Sequence, residues 1–259
     1  MTTAPLTVAE RDLAGRSGLV TGAAGGIGRA SVLALAARGA HVVVTDVAAL
    51  ADAGEETAAL AEKEGGSATF VPADVTVPGD WERVVAAALE PTGTLDFAHN
   101  NAGISLAAPF LETGTEDLHR VLEVNLVGVW LGLQHQLPHM LAAGRGSVVN
   151  TASLAGLKGL PLGAAYALSK HAVVGLTRSV ALEHAQAGVR VNAVCPAAVD
   201  TPMTAALPDE LRAQIVAPQA IKRFARPSEI GEAVAWLVSD DSSFLTGVAL
   251  PVDAGATAG

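Results

Sequence analysis

Short apolar or β-branched runs alternate with longer helical patterns along almost the whole chain, and this alternation limits the possible folds more than any other feature. The predicted strands cover residues 19–20, 41–45, 68–71, 95–98, 147–150, 189–194 and 248–252. The predicted helices cover residues 27–38, 48–64, 80–89, 115–142, 164–187 and 227–239, with a break or bend near Pro138 in the fourth. Such alternation places successive strands parallel, with right-handed crossovers and helices on both faces. The sequence therefore predicts an α/β fold, a doubly wound domain with a central parallel sheet of about seven strands.

The length and composition allow one large domain. The chain has 259 residues, of which 50% are hydrophobic and 3% aromatic, which supplies a sizeable core of small side chains. We find no composition break, linker or internal repeat, so we predict a single dinucleotide-binding and catalytic domain over residues 1–259. Residues 1–14 are expected to form an N-terminal tail. The partly helical insert at 201–226 is expected to act as a substrate lid, because such segments often move over a binding site.

The charge and cysteine content exclude several classes of function. A formal net charge of −10 argues against nucleic-acid binding, which needs basic patches. Cys195 is the one cysteine, so no internal disulfide forms and a reducing, cytoplasmic location is expected. The first 16 residues lack the pattern of a secretory signal. The longest charge-free stretch, 124–144, contains amides and histidines that are costly in lipid, so we predict a buried or interface helix and no membrane span.

A glycine-rich turn follows the first predicted strand. Gly22, Gly26 and Gly28 let the backbone approach a pyrophosphate, and the helix that begins at Ile27 points its N-terminus at the negative charge. On its own this pattern also fits a plain strand–turn–helix of small residues. The context of a strand before it and a helix after it favours a dinucleotide site at the carboxyl edge of the sheet.

Asp46 ends the second predicted strand and bears on the choice of cofactor. Its carboxylate can accept hydrogen bonds from both ribose hydroxyls and would repel a 2′-phosphate, which favours NAD over NADP. A helix N-cap is the alternative role for Asp46. Arg29, the first helix residue after the turn, could still approach a phosphate.

Tyr166 and Lys170 are four residues apart and share one face of a predicted helix. A free tyrosine has a pKa near 10, and a nearby ammonium lowers it, so Tyr166 could exchange a proton with a carbinol or carbonyl oxygen. Ser153, thirteen residues earlier, would hydrogen-bond and orient that oxygen. Taken without the other motifs, Tyr166 and Lys170 would be interpreted as a pair of side chains on the surface of a helix.

The ordered motifs resemble those of the classical short-chain dehydrogenase/reductase family, over about residues 15–255. They are the glycine turn, Asn100-Asn101-Ala102-Gly103, Asn125, Ser153, Tyr166 with Lys170, Pro196 and Thr201. The resemblance implies a Rossmann-like fold and a nicotinamide cofactor, with Asn125 holding a water in a proton relay toward Lys170, which also holds the nicotinamide ribose. It implies further cofactor contacts at Asp74, Val75, Asn101, Ala102, Gly103, Pro196, Val199 and Thr201. Members of the family that prefer NADP often carry Arg or Lys at the position of Gly25, and the usual Pro-Gly is Pro196-Ala197 here.

The same resemblance implies a homodimer or homotetramer and a small-molecule substrate. The substrate pocket is expected at residues 105–110, 154–162 and 203–221, whose apolar side chains indicate a hydrophobic secondary alcohol or ketone, with alicyclic compounds among the candidates. Lys158 in that region could meet an anionic substrate or lie in solvent. The alternatives are an NADPH-dependent ketoreductase such as a 3-oxoacyl thioester reductase, a non-catalytic NAD(H)-binding regulator, and a structural oligomer.

Two further candidates carry less weight. His135 and His139 are four residues apart, but Pro138 lies between them and no third ligand is evident, so no metal site is expected. Cys195 follows an apolar run and is expected to pack as a small hydrophobic residue.

Overall fold

The computed structural model describes residues 12–205 and 207–258, and within them it has a seven-stranded parallel sheet. The strands are β1 (Ser17–Thr21), β2 (His41–Asp46), β3 (Ser67–Pro72), β4 (Phe97–Asn100), β5 (Gly146–Thr151), β6 (Val189–Pro196) and β7 (Ala249–Val252). Their order across the sheet is β3–β2–β1–β4–β5–β6–β7, and every neighbouring pair is parallel. The predicted doubly wound, Rossmann-like α/β fold is confirmed.

Helices cover both faces of the sheet. They are α1 (Gly26–Ala37), α2 (Ala51–Lys63), α3 (Pro78–Leu89), α4 (Thr115–Leu122), α5 (Gly128–Ala143), α6 (Ala164–His184), α7 (Pro202–Ala205), α8 (Asp209–Val216) and α9 (Pro227–Val238). Neighbouring residues of a strand point to opposite faces, so Leu19 packs into one apolar core cluster and Val20 into the other. Strands buried on both faces need continuous apolar runs, which is the pattern in β1 and β2.

The strand order reverses beside β1. The chain moves outward from β1 through β2 to β3, then returns to β4 on the other side and proceeds to β7. At such a reversal the connections after β1 and β4 leave in opposite directions, which opens a crevice at the carboxyl ends of the strands. This crevice brings together the glycine turn after β1, Asp46 at the end of β2 and the segment that follows β4.

The helix predicted at 115–142 differs from the structure in where it is irregular. Of the predicted break or bend near Pro138, the break is wrong, because α5 continues through Pro138 to Ala143. The irregularity lies between α4 and α5, where residues Glu123–Val127 form a π-helical segment around Asn125. A π segment inserts an extra residue into a turn and is frequent at functional sites.

Smaller differences concern element ends. The strand predicted at 95–98 lies two residues later, at Phe97–Asn100, and its pairing with β1 begins at Phe97. Most of the tail predicted at 1–14 lies outside the described residues, but Leu13 is fully buried in the core. The insert at 201–226 is partly helical, as expected, through α7 and α8. Among the described helices, none combines the length and apolarity that crossing a membrane requires.

Candidate active site

A cavity of about 710 Å³ lies in the crevice at the carboxyl ends of the strands. Most of the predicted cofactor residues line it: Gly22, Gly26, Ile27, Asp46, Asp74, Val75, Asn101, Ala102, Gly103, Tyr166, Lys170 and Thr201. Gly28, Pro196 and Val199 do not line it, and neither do Asn125 and Ser153. Thus the structure gathers residues that are more than 170 positions apart in the chain around one cavity.

The glycine turn has a backbone that only glycine adopts without strain. Gly22 and Gly26 have φ angles of +63° and +55°. Gly28 is required for a different reason, since a Cβ on it would lie 2.1 Å from the carbonyl oxygen of Gly22. The N-terminus of α1 lines the cavity through Gly26 and Ile27 and has no side-chain cap, an arrangement that suits a pyrophosphate.

Asp46 is held by two backbone amides, one in the glycine turn and one in the residue that follows Asp46. One carboxylate oxygen, Oδ2, accepts from the amide of Ala24 at 3.0 Å, and Oδ1 accepts from the amide of Val47 at 2.9 Å. The short 3-10 turn that follows uses Val47 as its N-cap residue, without a side-chain cap bond. Asp46 therefore does not serve as a helix cap, and its carboxylate is fixed in the cavity wall with lone pairs left to accept.

Arg29 turns away from the cavity. Its guanidinium donates to the carbonyl oxygens of Ala24 and Ala53 at 2.8 and 3.1 Å. It also donates to Thr57 Oγ1 at 2.9 Å and to Glu56 Oε2 at 2.7 Å. These bonds join α1 to α2 and engage the side chain that the sequence left open as a phosphate ligand.

Tyr166 and Lys170 lie in the first two turns of α6 and both face the cavity. Lys170 is buried, and its Nζ donates to the carbonyl oxygen of Thr151 at 2.8 Å. The same Nζ lies 5.7 Å from the centre of the Tyr166 ring. Burial lowers the pKa of Lys170 to about 8, so the amine still carries its charge near pH 7.

The predicted lowering of the Tyr166 pKa by Lys170 stays a prediction, because burial dominates the pKa of Tyr166 in this structure. Burial raises the pKa of the Tyr166 hydroxyl above its ordinary value, and the Ser153 side chain acts on it in the opposite direction. Desolvation disfavours the phenolate more than the neighbouring groups favour it. The geometry thus presents Tyr166 as a neutral phenol, which is a proton donor.

Asn125 is buried in the π-helical segment and fastens it to two neighbouring elements. Its side chain accepts from the amide of Ile104 at 2.8 Å and donates to the carbonyl of the same residue at 2.9 Å. It also donates to Ser169 Oγ at 3.0 Å, which lies beside Lys170 on α6. A Cβ at Gly103 would lie 3.1 Å from Asn125 Oδ1 and 3.5 Å from Lys170 Nζ, so glycine lets these groups approach.

Several cavity residues were missed in the sequence. They are Thr45, Val47, Leu50, Ala73, Thr76, Ile104, Arg120, Glu123, Val124 and Thr151. Pro202 and Met203 also line the cavity, and both lie in the insert predicted as a lid. Thr151 could have been found, because it ends β5 two positions before Ser153. The others lie on β2, in the segments that follow the strands, and in α4 with the π-helical segment after it, and no local sequence pattern marks them.

The remaining candidate residues have structural contacts. His135 stacks on Trp81 with 6.4 Å between the ring centres, and no group of three potential metal ligands occurs in residues 12–205 and 207–258. Cys195 is fully buried, and burial raises its pKa to about 11. Lys158 Nζ donates to the carbonyl of Ala256 at 3.0 Å, which joins the loop after Ser153 to the C-terminal segment.

Comparisons with known proteins agree with this geometry. A family model described as enoyl-(acyl carrier protein) reductase matches residues 22–257. A cis-4-hydroxycyclohexanecarboxylate dehydrogenase of Sinomonas cyclohexanicum is 44% identical, over 94% of this chain and 97% of that protein. A 2,5-dichloro-2,5-cyclohexadiene-1,4-diol dehydrogenase of Sphingobium indicum is 41% identical, over 95% and 99%. The crystal structure of levodione reductase superposes with a TM-score of 0.90 at 35% identity, over 95% of this chain and 99% of that one.

The fold and the cavity define a dinucleotide-binding α/β protein with a tyrosine–lysine pair beside the glycine turn. The chain belongs to the classical short-chain dehydrogenase/reductase family, and it is an oxidoreductase of that family, whose dehydrogenases use nicotinamide cofactors.

Proposed function

We propose that this chain transfers a hydride between NAD(H) and a secondary alcohol or ketone on a carbocyclic ring. The observation that carries the proposal is the shared cavity, in which Tyr166 and Lys170 face the glycine turn and Asp46. A dinucleotide that bridges these residues would bring its nicotinamide end to the phenol. The bound nicotinamide supplies the hydride acceptor or donor and, when oxidised, a positive charge near Tyr166.

The side chains of the site have separate roles in proton transfer. Ser153 orients the substrate oxygen, and Tyr166 donates a proton to it during ketone reduction or accepts one during alcohol oxidation. Lys170 is charged near pH 7, which favours the phenolate whenever Tyr166 has given up its proton. Asn125 joins the segment at Ile104 to Ser169 on α6 and thereby holds the relay residues in register.

The preference for NAD rests on charge in the cavity wall. Asp46 is fixed there as an acceptor, where it suits ribose hydroxyls and opposes a 2′-phosphate. Arg29 is engaged with Glu56 and with backbone carbonyls, so it offers no cation to that phosphate. These two contacts favour NAD over the alternative of an NADPH-dependent thioester reductase.

The proposed substrate is an uncharged cyclic alcohol. The two curated relatives described above are named as dehydrogenases of a hydroxycyclohexane carboxylate and a cyclohexadiene diol. In this chain Lys158, the cation of the loop after Ser153, does not line the cavity and donates to the carbonyl of Ala256. An uncharged ring alcohol needs no cation in the cavity.

The proposed function is tested by cofactor titration followed by turnover. NADH and NADPH binding would be measured by fluorescence, and NAD⁺ reduction would then be followed with cyclohexanol, cis-4-hydroxycyclohexanecarboxylate and an acyclic butanediol. We expect tighter binding of NADH and the highest kcat/KM for cyclohexanol. Preference for NADPH would contradict the role of Asp46, and preference for the carboxylate would contradict the substrate assignment. Tight NADH binding without turnover on any alcohol would favour a nucleotide-binding regulator.

We also propose that the chain forms a homodimer or homotetramer through α5 and α6. Leu168, Gly175 and Leu182 are seven residues apart on α6, so they lie on one face, and all three are exposed. Trp130 on α5 is also 51% exposed. An exposed apolar stripe of this kind favours association with a second copy.

The cytoplasmic location stays a prediction.

A further inference from the structure

A buried histidine that the proposed chemistry does not use lies directly beneath the active site. His99 is on β4 and is fully buried. Its Nε2 lies 2.8 Å from Thr151 Oγ1, at the end of the neighbouring strand β5. Its other ring nitrogen, Nδ1, has no hydrogen-bond partner among the described residues.

The direction of the hydrogen bonds around His99 follows from its neighbours. Asn101 Nδ2 donates to the carbonyl oxygens of Thr21 and Gly22 at 3.0 and 3.2 Å. If the amide were flipped, Asn101 Oδ1 would lie against these two carbonyl oxygens, and no hydrogen bond could form. The Asn101 Oδ1 atom is therefore the acceptor for the Thr151 hydroxyl, which lies 3.2 Å away. Because that hydroxyl has only one proton, it must accept from His99, so His99 carries its proton on Nε2.

The hydrogen bonds from His99 to Thr151 and from Thr151 to Asn101 form a relay, here called the His99 relay, that ends at two parts of the active site. Through Asn101 it reaches the glycine turn, where a Cβ on Gly28 would come within 2.8 Å of Asn101 Nδ2. Through the backbone of Thr151 it reaches Lys170, whose Nζ donates to the Thr151 carbonyl. One side chain beneath the sheet edge thus supports both the turn that faces the pyrophosphate and the lysine beside Tyr166.

We propose that His99 is a positioning residue for cofactor binding, which donates to Thr151 and thereby holds Asn101 against the glycine turn. The proposal rests on the proposed function, since it assigns the turn to a dinucleotide. A residue that only fills the core would not need a ring nitrogen, and burying Nδ1 without a partner is unfavourable. Burial also lowers the pKa of His99 to about 3, so the ring stays neutral and the direction of the relay does not change near pH 7.

The test uses variants at both ends of the His99–Thr151 bond. His99→Leu removes the donor, His99→Gln keeps a donor near the position of Nε2, and Thr151→Val removes the hydroxyl but keeps the shape and the carbonyl that binds Lys170. His41→Leu is the matched control, because His41 forms a similar 2.8 Å bond to Ser67 Oγ at the opposite end of the sheet. NADH affinity by fluorescence and Tm are measured for each, together with the double variant His99→Leu/Thr151→Val.

We expect His99→Leu and Thr151→Val each to weaken NADH binding about tenfold, the cost of leaving Asn101 poorly held. The double variant should be no weaker than the worse single variant, because both remove one relay. His99→Gln should recover most of the affinity, and His41→Leu should lower Tm at unchanged affinity.

The proposal fails if His99→Leu lowers Tm but binds NADH like the wild type, since that result describes packing alone. Additive losses in the double variant would also overturn it. If His99→Leu does not fold, Thr151→Val and His99→Gln still give the comparison. Wild-type protein that binds no NADH would refute the proposed function instead, so the two failures are distinguishable.

Discussion

In the proposed function, the choice between NAD and NADP depends on one residue, Asp46, in the cavity wall. Its oxygens are held by the amides of Ala24 and Val47, so its position does not depend on a bound ligand. Replacing Asp46 by Asn keeps the shape and one acceptor but removes the negative charge. We expect the ratio of kcat/KM for NADP to that for NAD to rise by about tenfold or more, since repulsion of the 2′-phosphate is lost.

The control for this variant is Asp241→Asn, which removes an exposed carboxylate outside the cavity. It should leave the ratio unchanged. An unchanged ratio in Asp46→Asn as well would show that Asp46 only ties the turn to β2.

His99 also makes stability depend on pH. Its pKa is about 3 in the folded chain against an ordinary value of 6.5, so the unfolded chain binds more protons between these values. The folded chain therefore loses stability as the pH falls below 6.5. Between pH 7 and pH 5 the free energy of unfolding should fall by about 2 kcal/mol more in the wild type than in His99→Gln, which cannot be protonated. Denaturant unfolding at both pH values measures this difference. An equal fall in the free energy of unfolding for the wild type and His99→Gln would contradict it.

Two glycines in helices, Gly28 and Gly79, differ in how much space a side chain would have. Replacing each by alanine therefore separates the effect of close packing from the helix preference of alanine. A Cβ at Gly28 would meet the Gly22 carbonyl at 2.1 Å, whereas a Cβ at Gly79 meets nothing within 4 Å. Gly28→Ala should lower the free energy of unfolding by about 3 kcal/mol, because backbone has to move. Gly79→Ala should raise it by about 0.5 kcal/mol, the lower end of the usual gain over glycine, because Gly79 lies in the first turn of α3. A similar Tm for the two variants would show that the turn is not tightly packed.

The elements that were predictable from sequence are those whose signals are local. β1, β2 and α1 have β-branched runs, a glycine turn and a glycine after the last helical residue, so their positions and the crevice between them follow from the chain itself. The π-helical segment at Asn125 was not predictable, because it depends on bonds to Ile104 and Ser169 that form only in the fold. The same holds for the raised pKa of Tyr166, which comes from burial, and for the role of Thr151, which depends on His99 of the neighbouring strand β4 and on Lys170 of α6.

At the scale of the whole molecule, the parallel sheet gathers distant residues and the outer helices remain available for association. Leu182 on α6 is 82% exposed, which is unusual for a large aliphatic side chain on a stripe with Leu168 and Gly175. Light scattering after gel filtration should give the wild type at least twice the monomer mass. Leu182→Glu should shift it toward the monomer, because burying a carboxylate in an apolar interface is costly.

The matched control is Leu111→Glu, at a leucine that is 95% exposed and lies outside α5 and α6. It should keep the wild-type mass. A monomeric wild type would refute the proposed assembly, and dissociation by both variants would point to a different interface.

The central claim is that Tyr166 exchanges the proton while a hydride moves to or from NAD, and one measurement tests it most directly. Tyr166 is the chain's sole tyrosine, so Tyr166→Phe removes the phenol and leaves no substitute. NAD⁺ reduction with cyclohexanol and NADH affinity would be measured on the same preparations of wild type and variant. We predict that kcat falls by about a hundredfold or more, the usual contribution of general acid–base catalysis, while NADH binds with near-wild-type affinity. Turnover by Tyr166→Phe at the wild-type rate would contradict the claim.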